Sequence, residues 1–181
     1  NKHYYVNDLE NPYEEKQRYD WVRADVFGGR SLLWGRISLR WNDIDFNANL
    51  KDGHGVDWPI RYKDLAPWYD HVEKFIGING SREGLDILPD GIFQTPFEMT
   101  CVEKDIKARI ESKYPGRKLI HSRSANITAP LDGRSACMSR NLCHRGCPFG
   151  AYFSTQSSTL PAAAKTGNLT IRTGAVVNRI I

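Results

Sequence analysis

The sequence predicts an α/β fold that is incomplete on its own, and three observations lead to this prediction. Two segments, 65–76 and 100–114, place apolar residues at the three- and four-residue spacing of helices. Three others, 118–126, 169–172 and 175–181, have the alternating or β-branched composition of strands. The last of them is an apolar run that ends the chain, so we expect the 181 residues to be an excised piece of a larger protein.

Composition excludes several classes of protein. Apolar residues make up 40% of the chain and charged residues of both signs 25%, which is typical of globular proteins and excludes disorder and coiled coils. The net charge of +4 comes from scattered basic residues, so no nucleic-acid partner is expected. No apolar run reaches the roughly 18–20 residues of a membrane span, so none is expected in this segment.

The first sixty residues are predicted to contain little regular structure. Residues 1–20 are polar and aromatic and are expected to form an irregular surface arm. A short strand is predicted at 21–27, before the glycine pair Gly28-Gly29. Residues 42–60 are rich in Asn, Asp and Gly, which predicts a loop.

Three helices are predicted in the rest of the chain. The first has Asp64 as its cap, Pro67 in its first turn and Gly77 at its end. Its apolar stripe consists of Leu65, Trp68, Tyr69, Val72, Phe75 and Ile76. After a loop at 81–99, the second helix follows the capping box formed by Thr100 and Glu103 and stops at Pro115-Gly116. A third, Ala-rich helix is predicted at 157–165, before Gly167.

The segment 28–40 is the most informative candidate for a binding site. Glycine has no Cβ, so main chain at Gly28 and Gly29 could lie against a flat cofactor, while Ser31 could donate a hydrogen bond and Arg30 or Arg36 could neutralise phosphate. The alternative is an ordinary glycine turn between two strands. The chain has neither G-x-G-x-x-G nor a P-loop, and its histidines have no local catalytic companions. No catalytic residue is therefore predicted within it.

A second candidate is a loop with three of the four cysteines. Its spacing, C-x5-C-x3-C, could supply up to four metal ligands and would suit a small zinc-binding adaptor. A disulfide or free packed thiols are the alternatives. The residues concerned are Cys137, Cys143, His144 and Cys147.

Three segments in order resemble the glucose-methanol-choline (GMC) flavin oxidoreductases. They are 28–35 (GGRSLLWG), 57–70 (DWPIRYKDLAPWYD) and 146–151 (GCPFGA) leading to 160–163 (LPAA), with the strand-like 173–180 (TGAVVNRI) closing the pattern. The resemblance implies part of a Rossmann-like FAD-binding domain plus part of a substrate or cap region. It also implies a division into a flavin-contacting segment at 1–60, a helical cap segment at 61–135 and a return to the FAD domain at 136–181.

The resemblance also implies a cofactor and the residues that contact it. Leu33 stands where some relatives attach FAD through His, so FAD is expected to bind non-covalently, and Trp34 stands where many members have Asn. The main chain of Val177 corresponds to a position that contacts adenine. The implied cofactor contacts are Gly28, Gly29, Ser31, Trp34, Gly35 and Val177.

The function implied is oxidation of a CH–OH group of an alcohol, sugar or polyol by hydride transfer to flavin. The family's glycine-rich phosphate loop and catalytic His are expected outside this segment, so the expected partner is the remainder of the same enzyme, in the same chain or as a separate chain. The alternative from another class is a non-enzymatic carbohydrate-binding module with a stacking face. That face would be built from Trp34, Trp41, Trp58 and Trp68.

Overall fold

The computed structural model describes residues 2–181. Its regular structure consists mainly of five α-helices. They are α1 (Asp43–Phe46), α2 (Ala48–Asp52), α3 (Tyr62–Ile76), α4 (Cys101–Lys113) and α5 (Thr159–Lys165). Short 3-10 turns lie at Lys2–Tyr4, Gly29–Leu32 and Cys143–Arg145. None of the helices in the described part has the length and apolar content needed to cross a bilayer.

Helix α3 begins earlier than its sequence pattern predicts. Asp64 is not the N-cap but the third helical residue, where its carboxylate accepts a hydrogen bond of 2.8 Å from the backbone N–H of Arg61. The prediction that Pro67 lies in the first turn is therefore wrong, because Pro67 is the sixth residue of the helix. The predicted end at Gly77 is confirmed.

The buried side of α3 also differs from the predicted apolar stripe. Trp68 is 67% exposed and Val72 is exposed as well, whereas Glu73 is buried. The reason is an ion pair: Glu73 accepts two hydrogen bonds from Arg40, so the helix turns this face inward. Hydrophobic periodicity does not contain this information.

The other predicted helices lie close to their expected positions. The hydroxyl of Thr100 accepts from the backbone N–H of Glu103, whose carboxylate accepts from the N–H of Thr100, so the capping box of α4 is confirmed. Helix α5 starts two residues later than predicted. The loop prediction for 42–60 is wrong in part, because α1 and α2 form there, and Asn42 caps α1 by accepting from the N–H of Ile44.

Strand pairing is limited to isolated bridges in residues 2–181, so the β part of the α/β prediction is not confirmed. Bridges join Ile37 to Ser124, Asn79 to both Ser124 and Gln94, and Asn126 to Tyr152. The predicted strand at 118–126 is reduced to these bridges. Those predicted at 21–27, 169–172 and 175–181 have no strand partner among the described residues, and a strand exists only where a second segment completes its ladder.

The small core lies where these bridges meet the end of α3. Ile76, Ile78 and Ala125 form its buried centre. Four aromatic side chains, partly buried, pack around it: Trp34, Phe75, Phe93 and Phe153. The core therefore joins the segment after the glycine pair to the middle and last thirds of the chain.

Charged groups are buried beside this core and are paired. Arg40 donates to both carboxylate oxygens of Glu73 at 2.7 and 2.5 Å, and to Asp70 and the hydroxyl of Tyr62. Burial lowers the pKa of Arg40, but the hydrogen bonds to these three partners outweigh burial, so its pKa lies above the usual value. The Glu73 carboxylate packs so closely on Gly91 that only glycine fits there, since a Cβ would lie 2.2 Å from Glu73 Oε2.

Two more arginines connect loops to the core. Arg123 is 1% exposed and pairs with Asp90 at 2.9 Å. Arg134 donates to the carbonyl of Ile76 at 2.6 Å, at the end of α3, and to the carbonyl of Gly150 at 2.8 Å. Burial lowers the pKa of both guanidinium groups without removing their charge at neutral pH.

Candidate functional site

The glycine pair forms a sharp turn with left-handed backbone at both residues. Gly28 has φ +94° and Gly29 has φ +55°, and the 3-10 turn Gly29–Leu32 follows. A Cβ on Gly28 would lie 2.9 Å from Cγ of Gln156, whereas a Cβ on Gly29 would meet nothing within 4 Å. Gly28 is thus closed off by the protein, and Gly29 presents bare main chain to open space.

Ser31 ties this glycine turn to a distant part of the chain. Its hydroxyl lies 2.6 Å from the carbonyl of Gly28 and 3.0 Å from the hydroxyl of Thr155, and it accepts from the backbone N–H of Thr155 at 3.0 Å. These internal partners use the hydrogen-bonding capacity of the hydroxyl group that was expected to serve a ligand. Ser31 therefore shapes the glycine turn.

Trp34 and Gly35, at the end of the segment, behave differently. The indole N–H of Trp34 donates to the carbonyl of Phe153 at 3.1 Å, and the two rings meet edge to face with centroids 6.0 Å apart. Trp34 is therefore a packing residue in this structure. Gly35 is exposed, and a Cβ there would meet nothing within 4 Å.

A cleft of about 280 Å³ lies beside the glycine turn. It brings together Leu32 from that turn, Pro148 and Gly150 from the segment 146–151, and Tyr152 and Gln156 from the residues that follow. Ligand pockets typically measure about 300–1,000 Å³, so this cleft is large enough for part of a ligand. Two of the three segments that carry the family resemblance thus meet at one cleft.

Sequence reasoning missed the polar run at 154–157, which forms one wall of this site. Ser154 is buried and exchanges hydrogen bonds with Ser157, and the amide of Gln156 donates to the carbonyl of Phe27 at 2.5 Å. The signal available was a continuous Ser-Thr-Gln-Ser sequence between Gly150 and the Ala-rich helix. Its role depends on contacts with residues more than 120 positions away, which local patterns do not show.

Val177 is not brought to the glycine turn. It is 84% exposed and lies in a segment without regular secondary structure. Its backbone makes no hydrogen bond to any described residue. A contact between this main chain and an adenine ring stays a prediction.

The glycine turn fits a flat ligand. Main chain at Gly29 and Gly35 has open space where a side chain would stand, and the two positions bracket a turn that Ser31 and Thr155 hold in place. A planar ring can approach such a surface to van der Waals distance, because no Cβ intervenes. Arg30 is exposed at the same turn, where it could face phosphate or carbonyl oxygens.

The two alternatives for the site gain no support. Across residues 2–181, no three metal-ligating side chains gather as an ion-binding group, and the cysteines are free thiols. The tryptophans do not share one stacking face: Trp34 packs on Phe153, Trp41 and Trp58 meet edge to face 6.1 Å apart beside Phe46, and Trp68 stands exposed on α3.

Comparison with known proteins identifies the family. The family model described as GMC oxidoreductase matches residues 5–181, nearly the whole chain. The chain therefore belongs to the GMC oxidoreductase family, and the resemblance is confirmed. Members of this family use FAD, and the matched N-terminal domain covers the FAD-binding region, so a Rossmann-like FAD domain is implied.

Curated relatives are similar over most of the chain. The fructose dehydrogenase large subunit of Gluconobacter japonicus is 31% identical over 130 residues, which is 70% of this chain and 24% of that protein. Paromamine 6'-oxidase of Streptomyces fradiae is 29% identical over 160 residues, 86% of this chain and 28% of that protein. The 2-methyl-1,2-propanediol dehydrogenase of Mycolicibacterium austroafricanum is 29% identical over 160 residues, which is 84% of this chain and 28% of that protein. The chain thus spans about a quarter of the length of these relatives.

Proposed function

We propose that the full-length protein is an FAD-dependent oxidoreductase that oxidises a CH–OH group of an alcohol, sugar or polyol. The observation that carries this proposal is the bare main chain at Gly29, in a turn whose Leu32 lines a cleft, within a chain that belongs to a flavin-dependent family. The relatives named for fructose, paromamine and a propanediol support a hydroxyl-bearing substrate.

In this proposal the chain supplies binding surface and not the catalytic base. Gly29 and Gly35 would present bare main chain to the isoalloxazine ring, while Gly28 makes the turn that packs on Gln156, and Ser31 fixes that turn. When bound, FAD accepts the hydride from the carbon that carries the hydroxyl group, while the hydroxyl proton passes to a base. That base is a histidine in another part of the enzyme.

The same proposal assigns supporting roles to three further residues. Trp34 packs against Phe153, so only the part of its indole ring that Phe153 leaves uncovered would contact the flavin. Leu33 offers no nucleophile, so FAD binds non-covalently. The main chain of Val177 binds adenine once the rest of the enzyme orders the segment around it.

We also propose that the remainder of the enzyme covers one face of this chain. In the segment 36–41, Arg36 and Arg40 are buried while Ile37, Leu39 and Trp41 are 51–52% exposed. This arrangement is the opposite of the usual one, in which charged side chains face water and apolar side chains are buried. In the proposed division, segments 1–60 and 136–181 belong to the FAD domain and segment 61–135 to the cap. The strands predicted at 169–172 and 175–181 would pair with strands from the rest of the FAD domain.

Anaerobic reduction of the flavin tests the function directly. The full-length enzyme is mixed without oxygen with fructose, a polyol and a short diol, and the visible absorption of the oxidised flavin is followed. At least one hydroxyl compound is expected to bleach it, while its fully O-methylated counterpart, which has no hydroxyl proton to lose, is expected to leave it unchanged. A flavin that no alcohol, sugar or polyol reduces would contradict the proposed activity.

A further inference from the structure

Arg36, directly after the glycine turn, combines features that are individually unfavourable. It is not a glycine, yet its φ is +64°, in the left-handed region that Cβ disfavours. Its side chain is charged, yet the residue is 8% exposed. Its Nε is buried and has no hydrogen-bond partner. Such strain concentrates at functional positions, where the surrounding structure maintains it.

The contacts of Arg36 join two parts of the molecule. Its guanidinium donates to the carbonyl of Leu32 at 3.2 Å, at the end of the glycine turn. The guanidinium carbon lies 3.8 Å from the centre of the Tyr152 ring. Its own carbonyl accepts from the N–H of Ala125 at 2.8 Å, which anchors the backbone to the core.

Leu32 and Tyr152 both line the cleft, so Arg36 lies directly behind its wall. Among the described residues, no carboxylate lies within 4 Å of this guanidinium. Arg40 is the informative contrast, because its charge is balanced by Glu73 and Asp70. The positive charge of Arg36 is therefore uncompensated close to the cleft, and it favours negative charge there.

We propose that Arg36 is a positioning residue of the flavin site: it clamps the Leu32 end of the glycine turn onto Tyr152 and places a buried positive charge behind the cleft. This inference rests on the proposed function, since it assumes that the cleft receives the flavin. The clamp favours FAD binding, and the charge favours the reduced, negatively charged flavin over the oxidised one. Hydrophobic filling of the same space would do neither.

Three variants of the full-length enzyme separate charge, planarity and backbone strain. Arg36→Met keeps an unbranched apolar stem without the charge, Arg36→Lys keeps the charge without the planar donors, and Arg36→Gly accepts the left-handed backbone without any side chain. Arg117→Met is the matched control, since Arg117 is exposed and lies over Tyr114 at 5.8 Å, on the surface. FAD affinity, flavin midpoint potential and melting temperature are measured for each.

We expect Arg36→Met and Arg36→Gly to bind FAD at least about tenfold more weakly and to have a lower midpoint potential. Arg36→Lys keeps the potential of the parent, and Arg117→Met keeps both properties. If Arg36→Met fails to fold, Arg36→Gly and Arg36→Lys decide, because glycine accepts the backbone without strain. An affinity within about twofold of the parent together with an unchanged potential in Arg36→Gly overturns the inference.

The proposed function fails in a different way. If the unmodified full-length enzyme binds no flavin, the function proposed above is wrong. If it binds flavin and the Arg36 variants match it in affinity and potential, only the role of Arg36 is wrong.

Discussion

At Gly28 the backbone and a neighbouring side chain impose the same requirement. The φ of +94° disfavours any Cβ, and the 2.9 Å approach to Gln156 Cγ leaves no room for one. We expect Gly28→Ala to lower the free energy of unfolding of the full-length enzyme by about 2 kcal/mol, from strain and displacement together. Denaturant unfolding measures it.

Gly84→Ala is the control for this prediction, because Gly84 also has positive φ (+62°) but nothing within 4 Å of its Cβ position. It is expected to cost only the backbone term, about 1 kcal/mol. Equal losses for the two variants would show that Gln156 does not crowd Gly28.

Asp90 makes stability depend on acid pH. Burial raises its pKa, but hydrogen bonds from the backbone N–H groups of Glu83 and Gly84 and the charge of Arg123 outweigh burial and hold its pKa below the usual value. A carboxyl group with a lowered pKa stabilises the fold above its unfolded pKa, about 3.9, and this contribution is lost as the pH falls through the lower folded value.

We therefore expect Asp90→Asn to destabilise the enzyme by about 1–3 kcal/mol at neutral pH and to flatten the fall of stability below about pH 4. Asp86→Asn, at an exposed neighbour, is expected to leave the pH profile unchanged. The melting temperature measured from pH 3 to pH 7 checks both. A parallel pH profile for Asp90→Asn and the parent would contradict the assignment.

Individual residues differ in how far the sequence reveals their roles. The glycine pair was predictable because only glycine combines positive φ with bare main chain. The role of Ser31 was not, since its partner Thr155 is 124 positions away. Arg36 looked like a phosphate ligand, but its guanidinium turns inward to Leu32 and Tyr152.

The orientation of α3 depends on the ion pair between Glu73 and Arg40. Their side chains are 6% and 3% exposed, whereas Asp70, the second acid partner, is 42% exposed. Breaking a buried pair leaves an uncompensated charge, so Glu73→Gln is expected to cost about 3–5 kcal/mol. Asp70→Asn is the matched control and is expected to cost about 1 kcal/mol or less, because water replaces its carboxylate.

Urea unfolding of the two variants measures these losses in the full-length enzyme. A similar cost for Glu73→Gln and Asp70→Asn would mean that the pair does not set the orientation of α3. The orientation of α3 would then have to come from apolar packing on the same face of the helix.

Elements differed in predictability for a physical reason. The C-terminus of α3 follows from Gly77, and the N-terminus of α4 follows from the capping box at Thr100. Both are local signals. The start of α3 was missed by several residues because its third residue, Asp64, resembles a cap. Strands were predicted from composition alone, but a strand needs a partner, and the described residues supply only bridges.

On the scale of the whole molecule, the exposed apolar face at 36–41 is the surface that we propose the remainder of the enzyme covers. If the remainder of the enzyme covers it, Leu39→Asp places a charge in a buried interface and is expected to cost about 2 kcal/mol or more. Leu50→Asp is the control: Leu50 is 62% exposed on α2 and does not belong to the segment 36–41, so a change of about 0.5 kcal/mol or less is expected.

Thermal unfolding of both full-length variants tests this coverage. Equal, small losses would leave the apolar face uncovered. Only the structure shows that Arg36 and Arg40 are buried in this segment while Ile37 and Leu39 are exposed.

The family assignment and the glycine turn come together in one measurement, the visible spectrum of the purified full-length enzyme and of its Gly29→Ala variant. A Cβ on Gly29 meets no protein atom within 4 Å, so the variant is expected to fold with only the backbone cost of its φ of +55°, about 1 kcal/mol, while its methyl group enters the space proposed for the flavin. We expect oxidised-flavin absorption bands in the parent and weakened or shifted bands in the variant. A parent without flavin after reconstitution with FAD, or a variant with an unchanged spectrum and FAD affinity, would contradict the account.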